Sequence, residues 1–175
     1  TQAGLAELFY FSTSTVNLAL VKPTSIGAIR KSSKFFIVAD VFKLLYLAST
    51  IRNLNKDIVY QTNSPLTPTQ LEGLAPPSTI FGCYSAAKEI LGEPPADYSA
   101  LYLYGDPQNL PEIKSRYPTS KIGSSQIIIL KKPAYLPILH HATLPHTFID
   151  IWNLPDWYAR DFITALEDKI HGLLS

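Results

Sequence analysis

Ser12-Thr-Ser-Thr-Val-Asn17 places four hydroxyls and one carboxamide within six residues. Hydroxyls of this kind bond phosphate oxygens or base edges, and Asn can meet adenine with its donor and its acceptor together. Cations follow at Lys22, Arg30, Lys31 and Lys34. Such groups beside a nucleic-acid backbone displace counterions, so affinity falls as salt rises. The candidate DNA-binding set is therefore Ser12, Thr13, Ser14, Thr15, Asn17, Lys22, Arg30, Lys31 and Lys34.

Other reactive side chains form weaker patterns. His140, His141 and His146 lie near Asp150, and His with carboxylate can hold zinc. No His pair has helical i, i+4 spacing, no Cys joins them, and Pro145 interrupts the segment, so polar surface or core positions are expected. Asp150, Asp156 and Asp161, with Lys131 and Lys132, have the composition of a nuclease carboxylate set. Asp156 reads more simply as the first-turn acid of the last helix. Cys83 has no base beside it and reads as a buried thiol. Trp152, Trp157, Tyr158 and Phe162 read as core, with a partner-facing subset as the alternative. Phosphate-loop, serine-elbow and zinc signatures are missing. No catalytic residue, metal or cofactor is assigned, and the expectation is a non-enzyme.

The elements that would present the polar set can be read from periodicity. Residues 1–9 suit a short helix with Leu5, Leu8 and Phe9 on one face. Tyr10 and Phe11 break it, and Tyr10 sits where a turn favours glycine; a left-handed backbone there costs about 1 kcal/mol or more. Ser12 is a suitable N-cap for a second helix reaching Leu20. Val16, Leu18, Ala19 and Leu20 are expected on its buried side, and Pro23 is expected to end it near Lys22. Ile26–Ile29 and Phe35–Val38 read as strands flanking a basic tip, Arg30 to Lys34. Two helices, a turn and a hairpin make a helix-turn-helix with a wing.

Asp40 can cap a helix to about Asn53, with Val41, Leu44, Leu45, Ala48 and Ile51 as its apolar stripe. That stripe suits core, and also the seam of a homodimer reading two half-sites. Further on, residues 56–61 read as a strand and 69–74 as a short helix. Ser78 would cap a helix over 80–91 that Gly92 closes. Strands are expected over 98–104 and 126–130, and a helix over 107–116. A final amphipathic helix would begin at Pro155 and reach Leu174. The fold class is α+β, with an N-terminal domain over 1–56 and a C-terminal α/β domain over 57–175.

Composition agrees with a globular protein: 46% hydrophobic and 17% charged over 175 residues. No apolar run is long enough for a membrane span, and one cysteine suits a reducing, cytoplasmic setting. The net charge of +1 hides an asymmetry. Through Asp57, seven basic residues face three acidic ones, so that part carries +4 and the remainder −3. This favours a nucleic-acid-facing first part. Methionine is absent, which points to a missing natural start.

In order and spacing, "TQAGLAELF", "FSTSTVNLAL" and "IGAIRKSSKFFIV" resemble the second helix, recognition helix and wing of a bacterial or archaeal winged helix-turn-helix. The resemblance implies a first helix ahead of Thr1. "FGCYSAAKEILG", "DYSALYLYGD" and "TFIDIWNLPDWYARDFITALEDKI" resemble the C-terminal part of AbiEi-type antitoxins. It implies a regulator that binds double-stranded DNA, represses its own operon and counters a nucleotidyltransferase-type toxin. The helix-then-strand pattern is also similar to the nucleotidyltransferase core, where an Asp-x-Asp strand holds Mg²⁺. Here the strand reads Leu101-Tyr-Leu-Tyr104, and tyrosines do not replace paired carboxylates. On that comparison the C-terminal domain is a degenerate nucleotidyltransferase. The alternatives are a divergent nucleotidyltransferase or nuclease using the C-terminal carboxylates, and a protein-interaction module whose winged helix meets no DNA.

Overall fold

In a computed structural model, which describes residues 1–32, 35–77, 79–133 and 142–175, the chain is mixed α+β and divides into two compact units, Thr1–Ile51 and Arg52–Ser175. The division lies ahead of residue 57 because Arg52 and the buried Leu54 already belong to the second unit's interactions.

The first unit opens with α1 (Gln2–Leu8), whose first turn is capped by Thr1, and α2 (Thr13–Ala19), capped by Ser12. Between them Tyr10 takes φ 57°, the left-handed conformation its position in the turn demands. Pro23 does not end the helical path. After Leu20 the chain starts a new short helix, α3 (Val21–Ser25), and Pro23 lies in its first turn. A first-turn amide has no intrahelical acceptor, so its loss there costs little.

Strand β1 (Ile29–Lys31) pairs antiparallel with β2 (Phe36–Val38), Arg30 opposite Ile37. The strand starts later than the sequence indicates because Gly27, at φ 75°, still belongs to the turn. Arg30 and Lys31 are accordingly strand residues rather than the hairpin tip. Helix α4 (Val41–Ile51) follows, with the Lys43 amide donating to Asp40 Oδ1 at 2.9 Å.

Ala6, Val16, Leu20 and Ile29 form this unit's core, with Leu5, Phe36 and Leu44 against it. Val16 and Leu20 are four apart and share a face; Leu18 lies roughly 200° from Val16 around the helix. Leu18 is 75% exposed and Ala19 is exposed as well, against the expectation that both are buried. Leu8, expected inside, is also exposed. On α4, Leu45 and Ser49 are buried and Ile51 is exposed.

The second unit is a three-layer arrangement about a four-stranded sheet. Its strands are β3 (Ile58–Ser64), β4 (Ile80–Gly82), β5 (Ala100–Gly105) and β6 (Ser125–Lys131), in the spatial order β3-β6-β5-β4. Only β5 and β6 run parallel. One face of β5 and β6 presents Leu101, Leu103, Ile127 and Ile129 to Leu71 of α5 (Pro68–Gly73) and to Ile113 of α7 (Leu110–Arg116), with Tyr117 beside them. The other face presents Tyr102 and Tyr104. Tyr84 of α6 (Cys83–Leu91) meets Tyr102 and Tyr158 edge-on there and packs at a tilt against Phe162. Helices α8 (Leu144–Trp152) and α9 (Ala159–Leu174) complete this layer.

Three sequence expectations change. Residues 80–82 are a strand, not the start of a helix, since they pair with Tyr102–Tyr104. Pro145, which in the sequence interrupts its segment, instead occupies the first turn of helix α8. The last helix begins at Ala159 rather than Pro155, so Asp161, not Asp156, is its first-turn acid. Ser78, the expected cap, lies outside the described residues.

Tyr10 supplies a direct check. Its side chain is 89% exposed, so glycine there loses little packing and removes the left-handed penalty. Tyr10→Gly is expected to stabilise the first unit by about 0.5–1 kcal/mol, read as a raised urea midpoint in far-UV circular dichroism. A lowered midpoint would contradict the strain assigned to Tyr10.

Candidate functional site

The first unit's polar face begins at the start of α2. Ser12 spends its hydroxyl on the helix: Oγ accepts from the Thr15 amide at 3.0 Å and lies 2.8 Å from Thr15 Oγ1. Ser12 and Thr15 therefore shape the N-terminus, while the exposed Thr13 and Ser14 stand beyond that cap. Asn17, one turn on, is exposed, and its Oδ1 accepts a hydrogen bond from Lys31 Nζ. A helix residue and a strand residue fourteen positions apart thus share one surface.

Strand geometry separates the two cations of β1. Side chains alternate across a ribbon, so Lys31 shares a side with the buried Ile29, and Arg30 shares the other with Ile37. The fold brings together Asn17 and Lys31, and it turns Arg30 to the opposite side of the ribbon from Lys31. Lys22 is exposed in α3. Lys34, His140 and His141 lie outside the described residues.

With Lys31 on Oδ1, the Asn17 carboxamide offers its NH₂ outward.

The second unit centres on Asp150, a candidate metal or nuclease carboxylate in the sequence, whose pairing with Arg52 the sequence does not indicate. Asp150 on α8 is 1% exposed. Arg52 Nε donates to its Oδ1 at 2.8 Å, and Tyr104 donates to Oδ2. Arg52 Nη1 also donates to Asp57. His146, one turn before Asp150, brings Nε2 to 3.2 Å from Oδ2 and 2.6 Å from the Tyr104 oxygen. Tyr104 gives its hydroxyl proton to Asp150, and His146 Nε2 lies within reach of both oxygens.

Burial disfavours the Asp150 carboxylate, but the bond and charge of His146, then Arg52 and Tyr104, hold its pKa below the usual value. Burial and the Asp150 charge push the Tyr104 phenol up. Burial alone would weaken the Arg52 cation, yet Asp150 and Asp57 hold its pKa above the ordinary value. A lone acid inside the apolar run Phe148-Ile-Asp-Ile-Trp152 was the available signal, since a buried carboxylate demands a partner.

The remaining candidates disperse. Asp156 accepts from Tyr84 at 2.7 Å, Asp161 is exposed, and Lys132 pairs with Asp106. The three acids of the nuclease-like set have separate environments. Among the described residues no three His, Cys, Asp or Glu side chains are placed to hold a metal ion. Asp106 accepts from the Gln108 and Asn109 amides, closing the turn after β5. Cys83 is buried, and burial pushes its thiol well above the ordinary value. Tyr158 and Phe162 are core, as read, but Trp152 and Trp157 are exposed, Trp157 by 79%. Among the described residues no helix is long and apolar enough to cross a membrane.

No family model, curated protein or solved structure matches the chain.

The network sets two expectations. Arg52→Met strands a buried carboxylate, which costs about 3–5 kcal/mol, measurable by urea denaturation. The depressed Asp150 gives stability that is complete above the ordinary carboxylate pKa of about 4 and lost as pH falls below it. Near-UV circular dichroism of the tyrosines should therefore decay below about pH 4, and Arg52→Met should move that decay to higher pH. An unchanged acid midpoint in the variant would remove Arg52 from this role.

Proposed function

We propose that this chain is a DNA-binding transcriptional regulator, an AbiEi-like antitoxin that represses its own operon. In this reading α1 and α2 are the helix-turn-helix, α2 is the recognition helix, and the β1–β2 hairpin is the wing. The hydrogen bond from Lys31 to Asn17 carries the reading, because it puts the base-reading carboxamide and a phosphate-seeking cation on one surface. Exposed Thr13 and Ser14 extend that surface, and Thr1–Ile51, with five basic residues against two acidic ones, carries +3, the sign a phosphate backbone selects.

The partner is double-stranded DNA. A nucleotidyltransferase-type toxin is the proposed second partner, and a homodimer would match two half-sites. Trp157 and Trp152, exposed at the two ends of the α8–α9 link, are the groups best suited to a protein partner.

A second reading has its own support. Leu18 and Val21 are exposed on or beside α2, by 75% and 58%, and Phe11 is half exposed. Apolar side chains at that density suit a protein contact as well as thymine methyl groups.

Fluorescence anisotropy with the protein's own promoter fragment and a scrambled duplex, across a salt series, separates the two. Promoter-selective binding is expected, with Asn17→Ala losing the selectivity and Lys31→Ala lowering the salt slope by about 0.9. Arg30→Ala should change the slope less, since its side chain projects from the ribbon's other side. Equal or absent binding to both duplexes would reject the DNA-binding reading in favour of the protein contact.

A further inference from the structure

On the α6–α8–α9 side of the second unit's sheet, a cleft of about 550 Å³ opens over β3, β6 and β5. That volume falls within the range of small-molecule sites. Its floor is a register-matched row across three strands: Gln61 on β3 pairs with Ile128 on β6, which pairs with Tyr102 on β5. Gln126, two residues before Ile128, adds a second carboxamide on the same face. Asn53 and Asn55 line it after Arg52, and Asn153 lines it from the α8–α9 link.

The chemistry of this lining is narrow. Five carboxamides line it, a group that sets a donor beside an acceptor; Asn153 gives one N–H to the Ile149 carbonyl at 2.9 Å. The phenol of Tyr102 is kept protonated by burial. Arg52 is the one cation among the lining residues, and two carboxylates, Asp57 and Asp150, already meet it. An anionic ligand would therefore find the local positive charge spent. Arg52 Nη2 is buried without a hydrogen-bond partner among the described residues, and so suits a neutral acceptor. Leu54, Ile58, Leu154 and Pro155 supply apolar surface against which a flat ring can lie. A sugar would look for an open aromatic platform, but Tyr102 is only 8% exposed.

We propose that this cleft binds an uncharged hydrogen-bonding heterocycle, a nucleobase or its nucleoside. The carboxamides read the paired donor and acceptor groups of the base edge, as Asn and Gln side chains do when they meet adenine. The aliphatic residues cover its plane, and Arg52 Nη2 donates to a ring nitrogen or carbonyl. This site is separate from the polar face of the first unit and does not depend on DNA binding.

Isothermal titration of the intact protein with adenosine, guanosine, cytidine and uridine, and with their 5′-monophosphates, tests the proposal. At least one nucleoside should bind in a one-to-one ratio, and its monophosphate should bind more weakly. Gln61→Leu and Gln126→Leu, both at solvent-exposed positions, should each weaken that nucleoside by about tenfold, the scale of one lost hydrogen bond. Gln108→Leu, outside the cleft, should leave the dissociation constant unchanged, and thermal melting should show all three variants folded. Failure of all four nucleosides to bind at millimolar concentration would overturn the proposal. A monophosphate binding as tightly as its nucleoside, or affinity unchanged in both Gln variants, would overturn it equally.

Discussion

Asp150 sits at 1% exposure, and an ionised carboxylate buried so deeply is stable only with its charge and lone pairs met. Arg52 meets it from 98 residues away in sequence, Tyr104 from the middle strand of the sheet, and His146 from its own helix. Satisfying that one group fixes where the start of the unit, strand β5 and helix α8 lie relative to one another. Asp57 then holds the far end of the guanidinium, so the turn entering β3 is set by the same constraint.

The sheet face above this network differs from its reverse. Leu101, Leu103, Ile127 and Ile129 pack conventionally on α5 and α7. Tyr102 and Tyr104 instead carry hydroxyls into the helical layer, where Tyr104 serves Asp150 and Tyr84 serves Asp156. A buried phenol suits this work because its ring supplies apolar area and its hydroxyl reaches a partner. The strand that carries Tyr102 and Tyr104 is wholly buried. Toward β3 the lining becomes carboxamide, and the face opens into the cleft.

The first unit is organised more lightly. Ala6, Val16, Leu20 and Ile29 cluster inside it with Leu5, Phe36 and Leu44 against them, and its turn carries a left-handed tyrosine. What distinguishes it is the outside: a capped helix start with free hydroxyls, and a strand lysine reaching back to a helix asparagine. That bond ties Lys31 of β1 to Asn17 of α2 through side chains alone.

The sequence by itself determined the local elements. Ser12 and Asp40 announced helix starts, Gly92 a helix end at φ 93°, and the Ile127-Ile-Ile-Leu130 run a buried strand. These signals act over three or four residues, and so they survive without tertiary context. The polar residues at 12–17 and the cations at 30 and 31 were legible as types, because composition and spacing are all that such a reading needs. Tertiary structure alone decided which of them meet: Lys31 turned to Asn17 and Arg30 away, by the two-residue alternation of a strand whose start was set by Gly27. It likewise decided that residues 80–82 pair as a strand, that Pro145 opens a helix, and that Arg52 finds Asp150. Each is a choice between locally permitted states, or a long-range pairing, settled by burial energy that no short window of sequence contains.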